Sequence, residues 1–309
     1  MTPLLSVVVP TYNRLPELQT MLDSLLPQIA GKPVEVLIID DCSTDATWVW
    51  LQTTFADSLT VIPLRAEKNG GPGPARNVGL KVARGGWFLP VDSDFVVIDG
   101  AIDRILAAIA EAARYPLLFF PCMQYPAMKR LDGLSGRREI NYAALMSEQT
   151  GELIPVTSLD YLRARHLAYP ELRGGGESIL WASIVAKDNA LFIDFPIIYY
   201  RTDVGQRICT LEYQLDHPAD LASIAEAMLT HFADDPSPWA HQLRTQKYLA
   251  AGTYHLLAGN MPLGRSRLWS ALRMGCWSAL PTWAASFVGS GMFRAMFRLY
   301  RTRLRRAYL

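Results

Sequence analysis

The first hundred residues alternate short apolar runs with segments of helical spacing, and this alternation limits the fold more than any other feature. "LLSVVVP" at 4–10 is β-branched and ends in Pro10, as a buried strand stopped by a turn would. Leu18, Leu22 and Leu25 in the next segment recur at the spacing of one helix face. "VEVLIIDD", "LTVIPL" and "GWFLPVDSD" read as three further strands. Between them, "STDATWVWLQTTF" reads as a helix with Ser43 or Thr44 as its N-cap, and "VGLKVAR" is helix-like. This order predicts an α/β fold, Rossmann-like, with a mainly parallel central sheet. Ligands bind such sheets beyond the carboxyl ends of the strands. Pro10 to Asn13, Asp40–Asp41 and Asp92–Asp94 all follow strand ends, so three polar clusters fall on one rim.

Further along, 101–115 is an amphipathic helix and "LLFFPCMQY" a strand, while Pro126 to about Asn141 reads as a polar, basic loop. Strand or helix segments then surround the glycine cluster "RGGGES". Beyond about Cys209 the strand pattern stops, and three helical segments follow. The expected division is an α/β domain over 1–210 and a helical extension over 211–309. Half of the 309 residues are apolar, enough for a sizeable core. Lys+Arg number 30 against 29 Asp+Glu, which argues against nucleic acid as the main partner.

The pair Asp92 and Asp94 poses the sharpest chemical question. Two carboxylates crowded at a strand end repel each other unless a cation or a proton compensates. On an extended segment they share side parity, so both can face one ligand. Hard oxygen ligands of this kind suit Mg²⁺ or Mn²⁺ bridging to an anionic substrate. Taken alone, such a pair is also common in turns and helix caps.

Order adds what the single motif lacks. "SVVVPTYNR" at 6–14, "VLIIDDCSTDAT" at 36–47, "NGGPGPARNVGL" at 69–80 and "FLPVDSD" at 88–94 together resemble the GT-A fold glycosyltransferases of family 2. The resemblance covers roughly the first two hundred residues. It implies an inverting transfer from a nucleotide-diphosphate sugar, with a UDP-sugar the commonest donor, and a divalent metal as cofactor. It implies that Pro10, Thr11, Tyr12 and Asn13 line the base pocket and that Asp40 and Asp41 hydrogen-bond base and ribose. Arg76 is expected to reach the base or diphosphate, Asp92 and Ser93 to face the ribose or the metal, and Asp94 to hold the metal.

Two departures from the family pattern stand on the acceptor side. Glu177 occupies the place of an acidic pair whose second member removes the acceptor's proton, but Ser178 follows it, and an ordinary hydroxyl is no base. Glu177 is therefore the expected base, with a dipole-favoured acid at a helix start as its plain alternative. Asp203 stands near the position of a family histidine, either as a harder metal ligand or as a loop residue. Rival functions are nucleotidyl transfer and sugar-nucleotide binding without turnover.

The carboxyl-terminal third suggests a surface. Residues 274–293 carry no charge, yet Pro281, Gly289 and Gly291 weaken a spanning helix, and a helix lying in a membrane interface fits better. From Arg294 onward there are six arginines and no acid. This predicts a peripheral protein at the inner face of a membrane, with a saccharide or lipid-linked acceptor. Four widely spaced cysteines and an amino terminus without signal-peptide character agree with a cytoplasmic setting.

Overall fold

The structure, a computed structural model, describes residues 2–130, 132–147, 152–203 and 211–307, with side chains as far as Leu299. The chain divides into two compact units, Met1–Val204 and Gly205–Leu309.

In the first unit the elements run β1 (Leu5–Thr11), α1 (Leu15–Ile29), β2 (Val34–Asp40), α2 (Thr47–Thr54), β3 (Val61–Arg65), α3 (Pro72–Val82), β4 (Trp87–Pro90) and β5 (Phe95–Val97). They continue through α4 (Ala101–Ala112), β6 (Leu117–Tyr125), β7 (Lys129–Arg130), β8 (Arg138–Ile140), α5 (Tyr142–Ser147) and β9 (Leu153–Ser158). The last are α6 (Leu159–Ala164), α7 (Glu177–Val185), β10 (Ala190–Phe192) and β11 (Ile198–Arg201). The main path of the sheet is β3-β2-β1-β4-β9-β6-β10-β8. The β1–β2, β1–β4, β2–β3 and β6–β10 pairs are parallel, and β9 lies antiparallel between β4 and β6. This is the mainly parallel α/β sheet that the alternation predicts.

The strands are buried on both faces, and side-chain alternation divides the core into two layers. Leu5, Val7 and Val9 of β1 join Val36, Ile38, Trp87 and Leu89 in the layer under α1 and α4. Val8, Leu37, Ile39 and Phe88 point the other way, into the layer with Ala75, Leu159 and Leu180. Helix α3 lies hard against β1: a Cβ built at Gly79 would stand 2.5 Å from Val8 Cγ1.

Two local expectations differ from the structure. Helix α2 starts at Thr47 after Ala46, not at Ser43 or Thr44. Asn13 claims that turn first, accepting the Thr44 and Asp45 amides on Oδ1 and donating its own amide to Ser43 Oγ. The segment 126–141 holds β7 and β8, strands too short for a periodic pattern, formed by pairing with β6 and β10 respectively.

The second unit is helical: α8 (Leu211–Asp216), α9 (Pro218–His231), α10 (Pro238–Leu257), α11 (Met261–Arg273), α12 (Leu280–Ala285) and α13 (Ser290–Ala307), with 3₁₀ turns at 277–279 and 286–288. Arg267 of α11 grips Glu226 of α9 through Nε and a terminal nitrogen, at 2.7 and 2.8 Å. The uncharged stretch 274–293 is broken into short pieces, and among the described residues no helix is long and apolar enough to cross a membrane.

Gly79→Val should overfill the α3–β1 contact and cost about 1–3 kcal/mol of stability. Urea unfolding followed by circular dichroism would measure it.

Candidate active site

The polar clusters meet at the carboxyl edge of β1, β2 and β4. Register puts Thr11 opposite Asp40, and the Asp41 amide donates to the Thr11 carbonyl at 2.8 Å. Asp40 is fully buried. Its Oδ2 accepts the Ser43 amide at 3.1 Å and lies 3.3 Å from Arg65 Nε. Asp40 Oδ1 and Thr11 Oγ1 are buried with no hydrogen-bond partner among the described residues. Buried acceptors left open in this way cost about 1–3 kcal/mol each, so a ligand donor is the natural complement. Tyr12 beside them is exposed, and Arg65 stacks over the Trp48 ring at 5.4 Å.

Asp41 looks the other way. Its two oxygens accept the Gly70 and Gly71 amides at 2.9 and 2.7 Å, which shapes the glycine-rich turn before α3. Burial raises its carboxyl above the ordinary 3.8, partly offset by those two amides. Gly71 is in the left-handed region at φ 88°, and a Cβ there would lie 2.2 Å from the Arg173 carbonyl. The turn and the 169–176 loop therefore touch backbone to backbone.

The chain does not stay extended past β4. A turn closes at 93–94, with the Phe95 amide donating to the Asp92 carbonyl. Asp92 Oδ1 bonds Arg76 at 2.5 Å and the side chain keeps 38% exposure. Asp94 is nearly buried and pairs with Arg14, which stands at the N-cap of α1. The shared-parity argument therefore does not hold: each acid meets its own arginine, and Ser93 between them is buried.

Arg76 is the hub. Helix α3 carries it inside the protein, with one terminal nitrogen on Asp92 and the other on Glu177 Oε1 at 2.6 Å. Burial alone would pull its pKa down, but the Asp92 and Glu177 carboxylates hold it above the ordinary value. The Tyr169 ring lies 5.5 Å from the guanidinium carbon. Glu177 begins α7 behind Gly176, so its carboxylate stands at a helix N-terminus as well as against the guanidinium.

Asp203 is paired within its own segment. Both its oxygens bond Arg201, and that pairing holds its carboxyl below the ordinary range. No group of three or more His, Cys, Asp or Glu able to hold a metal gathers among the described residues. The three-carboxylate set of Asp92, Asp94 and Asp203 is thus not assembled. Pro10 contributes backbone within β1, paired with Ile39, and Asn13 spends its side chain on the neighbouring turn. Arg14, Arg65 and Asn77 escaped sequence reasoning. The signal for Arg14 and Arg65 was the crowding of acids itself, which demands cations nearby.

A family model described as glycosyl transferase family 2 matches residues 6–131. The amino-terminal unit belongs to glycosyltransferase family 2. A glycosyltransferase of Haemophilus influenzae is 33% identical over 118 residues, covering 38% of this chain and 38% of that protein. The succinoglycan biosynthesis protein ExoO of Rhizobium meliloti is 29% identical over 248 residues, 75% of this chain and 70% of its own. The chain thus matches well under two thirds of the first relative's length. Among solved structures, Staphylococcus aureus TarS 1–349 in complex with UDP-GlcNAc superposes with a TM-score of 0.63 at 21% identity, covering 96% of this chain and 91% of that one. The mannosyltransferase PcManGT of Pyrobaculum calidifontis, in complex with GDP-Man and Mn²⁺, gives 0.54 at 20%, over 98% and 83%. The family 2 unit has the GT-A fold of these neighbours.

Because folding raises the Asp41 pKa, the folded state holds that proton more tightly than the unfolded chain. Its contribution to stability is complete below 3.8 and is lost as pH rises through the folded value. Asp41→Asn cannot ionise, so it should gain stability relative to wild type as pH climbs from 3.8 to neutrality. Urea titrations at stepped pH would reveal the converging curves.

Proposed function

We propose that the family 2 unit transfers a sugar, with inversion, from a nucleoside-diphosphate donor to an acceptor hydroxyl. The observation that carries this reading is the open, buried Asp40 Oδ1 beside Thr11 Oγ1. A nucleobase ring N–H is a donor of the right kind for a carboxylate oxygen that has no partner among the described residues. Tyr12 packs on the base, and the Gly70–Gly71 turn, fixed by Asp41, borders the donor. The donor is a UDP-sugar, as in the TarS complex, and the acceptor is a saccharide or a lipid-linked glycan.

Asp92 and Asp94 fit a divalent cation of the Mg²⁺ or Mn²⁺ type. Such ions take one or two carboxylates and fill the rest of their shell with substrate phosphates and water. Asp92 has the exposure to serve, and Asp94 would share its charge with Arg14. Asp203, held at both oxygens by Arg201, is left out of the set. When bound, the ion would offset the negative charge developing on the departing diphosphate. Arg76 and Arg14 keep the two acids apart and oriented. Glu177 accepts the acceptor's proton: the hydroxyl oxygen bonds to the anomeric carbon as the bond from that carbon to the diphosphate oxygen breaks. One oxygen of Glu177 is bonded to Arg76, and proton acceptance falls to Oε2.

For the second unit we infer a peripheral place at the inner face of a membrane. Trp277 and Phe287 stand 75% and 59% exposed, and Met292 and Leu299 also face solvent. Interfacial helices pair such apolar faces with arginines, as this unit does.

Asp94→Ala should lower UDP release from a UDP-sugar by about a hundredfold or more in the presence of Mn²⁺. The assay follows nucleoside diphosphate, and pyrophosphate as product would instead mean nucleotidyl transfer. Trp277→Ala combined with Phe287→Ala should cut binding to phosphatidylglycerol vesicles at least about fivefold, with flotation as the measurement.

A further inference from the structure

We propose that Arg76 is a positioning residue that couples the donor side of the site to its acceptor side through one guanidinium shared by Asp92 and Glu177. The proposal rests on the reading of the first unit as a sugar-nucleotide-dependent transferase and adds how its two halves are tied.

Three separate segments converge on this group. Arg76 lies on α3, Asp92 follows β4 sixteen residues on, and Glu177 opens α7 a hundred and one residues on. A guanidinium binding one carboxylate for stability alone would offer both terminal nitrogens to it, the bidentate arrangement that is strongest. Here the fork is split, one nitrogen to each acid, and Nε is left buried with no partner among the described residues. The next residue reinforces the tie. Asn77 accepts the Tyr169 amide and donates to the Tyr169 carbonyl, both at 2.9 Å, and also donates to Glu171 Oε1. The loop leading to Glu177 is therefore clamped to the same helix that holds Asp92. Both acids retain solvent-facing surface, 38% for Asp92 and 29% for Glu177, so each can meet a ligand while paired.

The planar fork sets the consequence. A ligand that draws Asp92 toward itself shifts load on the guanidinium and changes the hold on Glu177, and by linkage the reverse holds too. Removing the Glu177 charge leaves Arg76 to Asp92 alone and draws that carboxylate toward α3, away from the donor. Loss of an acceptor-side acid then weakens donor binding, although that acid touches no part of the nucleotide.

The test titrates UDP with MnCl₂ into the full-length protein by calorimetry, for wild type, D92N, E177Q, D92N/E177Q, R76K and R76K/E177Q. E177Q is expected to weaken UDP binding by about three- to tenfold, within the 5- to 150-fold range of site-to-site coupling or just below it. The same change should have no effect on top of D92N, or on R76K, because lysine keeps the charge but cannot reach both acids. A wild type that binds UDP while E177Q stays within about twofold of it overturns the coupling. So do D92N and E177Q effects that simply multiply in the double variant. If R76K fails to fold by its circular dichroism melt, the D92N and E177Q cycle decides alone, since both side chains are partly exposed. A wild type that binds no UDP overturns the UDP-sugar reading of the donor itself, and this proposal with it.

Discussion

Charge compensation at one buried guanidinium is the constraint on which the site depends. Taking Arg76 out of water costs several kcal/mol unless its partners are well placed, and two carboxylates do this from opposite sides. Its pKa is raised in spite of burial, so the ion-pair attraction outweighs the desolvation. The dependence is mutual. Without the guanidinium, Asp92 and Glu177 would be left as two acids with no cation between them, and their charges would repel. Helix α3 thus needs its depth in the fold, secured where Gly79 meets Val8, to deliver this one charge.

The same rule repeats around the rim. Arg14 answers Asp94 and Arg65 answers Asp40, each from a different element. Each of these acids therefore has an arginine beside it before any ligand arrives, and its position is already fixed. Groups held in this way need little reorganisation when negative charge develops nearby. Among the described residues, the buried atoms left open at the site include Asp40 Oδ1, Thr11 Oγ1 and Arg76 Nε. An acid elsewhere on the sheet makes the contrast. Glu35 is as deeply buried, but Ser6, the Arg84 amide and the Arg84 side chain satisfy it, and it has nothing left for a ligand.

Strand identity was legible because β-branched runs buried on both faces carry their own signature, and the parallel order follows from the intervening helices. The placing of Asp40 and Asp92 at one edge was legible for the same reason, because strand ends gather there, whereas Arg76 and Glu177 were expected at the site only from the family resemblance. Pairing was not. Arg76 and Glu177 are a hundred and one residues apart, and no local pattern tells which arginine meets which acid. The start of α2 was misread because Ser43 and Thr44 are good caps in isolation, while Asn13, thirty residues earlier, took their hydrogen bonds. Strands β7 and β8 were invisible because a neighbour's edge, not their composition, makes them strands. The arginine partner of Asp203 sat two residues away, close enough that an ion pair was the simpler reading of that acid.

The replacement of a second acid by Ser178 takes its meaning from this arrangement. A second carboxylate beside Glu177 would add negative charge to a group in which Arg76 already serves two acids. With serine there, one cation faces two anions, and the helix dipole of α7 supports the second of them. The proposed acceptor side then has one carboxylate oriented by the Arg76 fork. In the role of base proposed for it, Glu177 would give up some freedom and gain direction, because the bond that Oε1 makes restrains Oε2. The departure at Ser178 thus agrees with the proposed site, in which Glu177 is positioned by the residue that also holds Asp92.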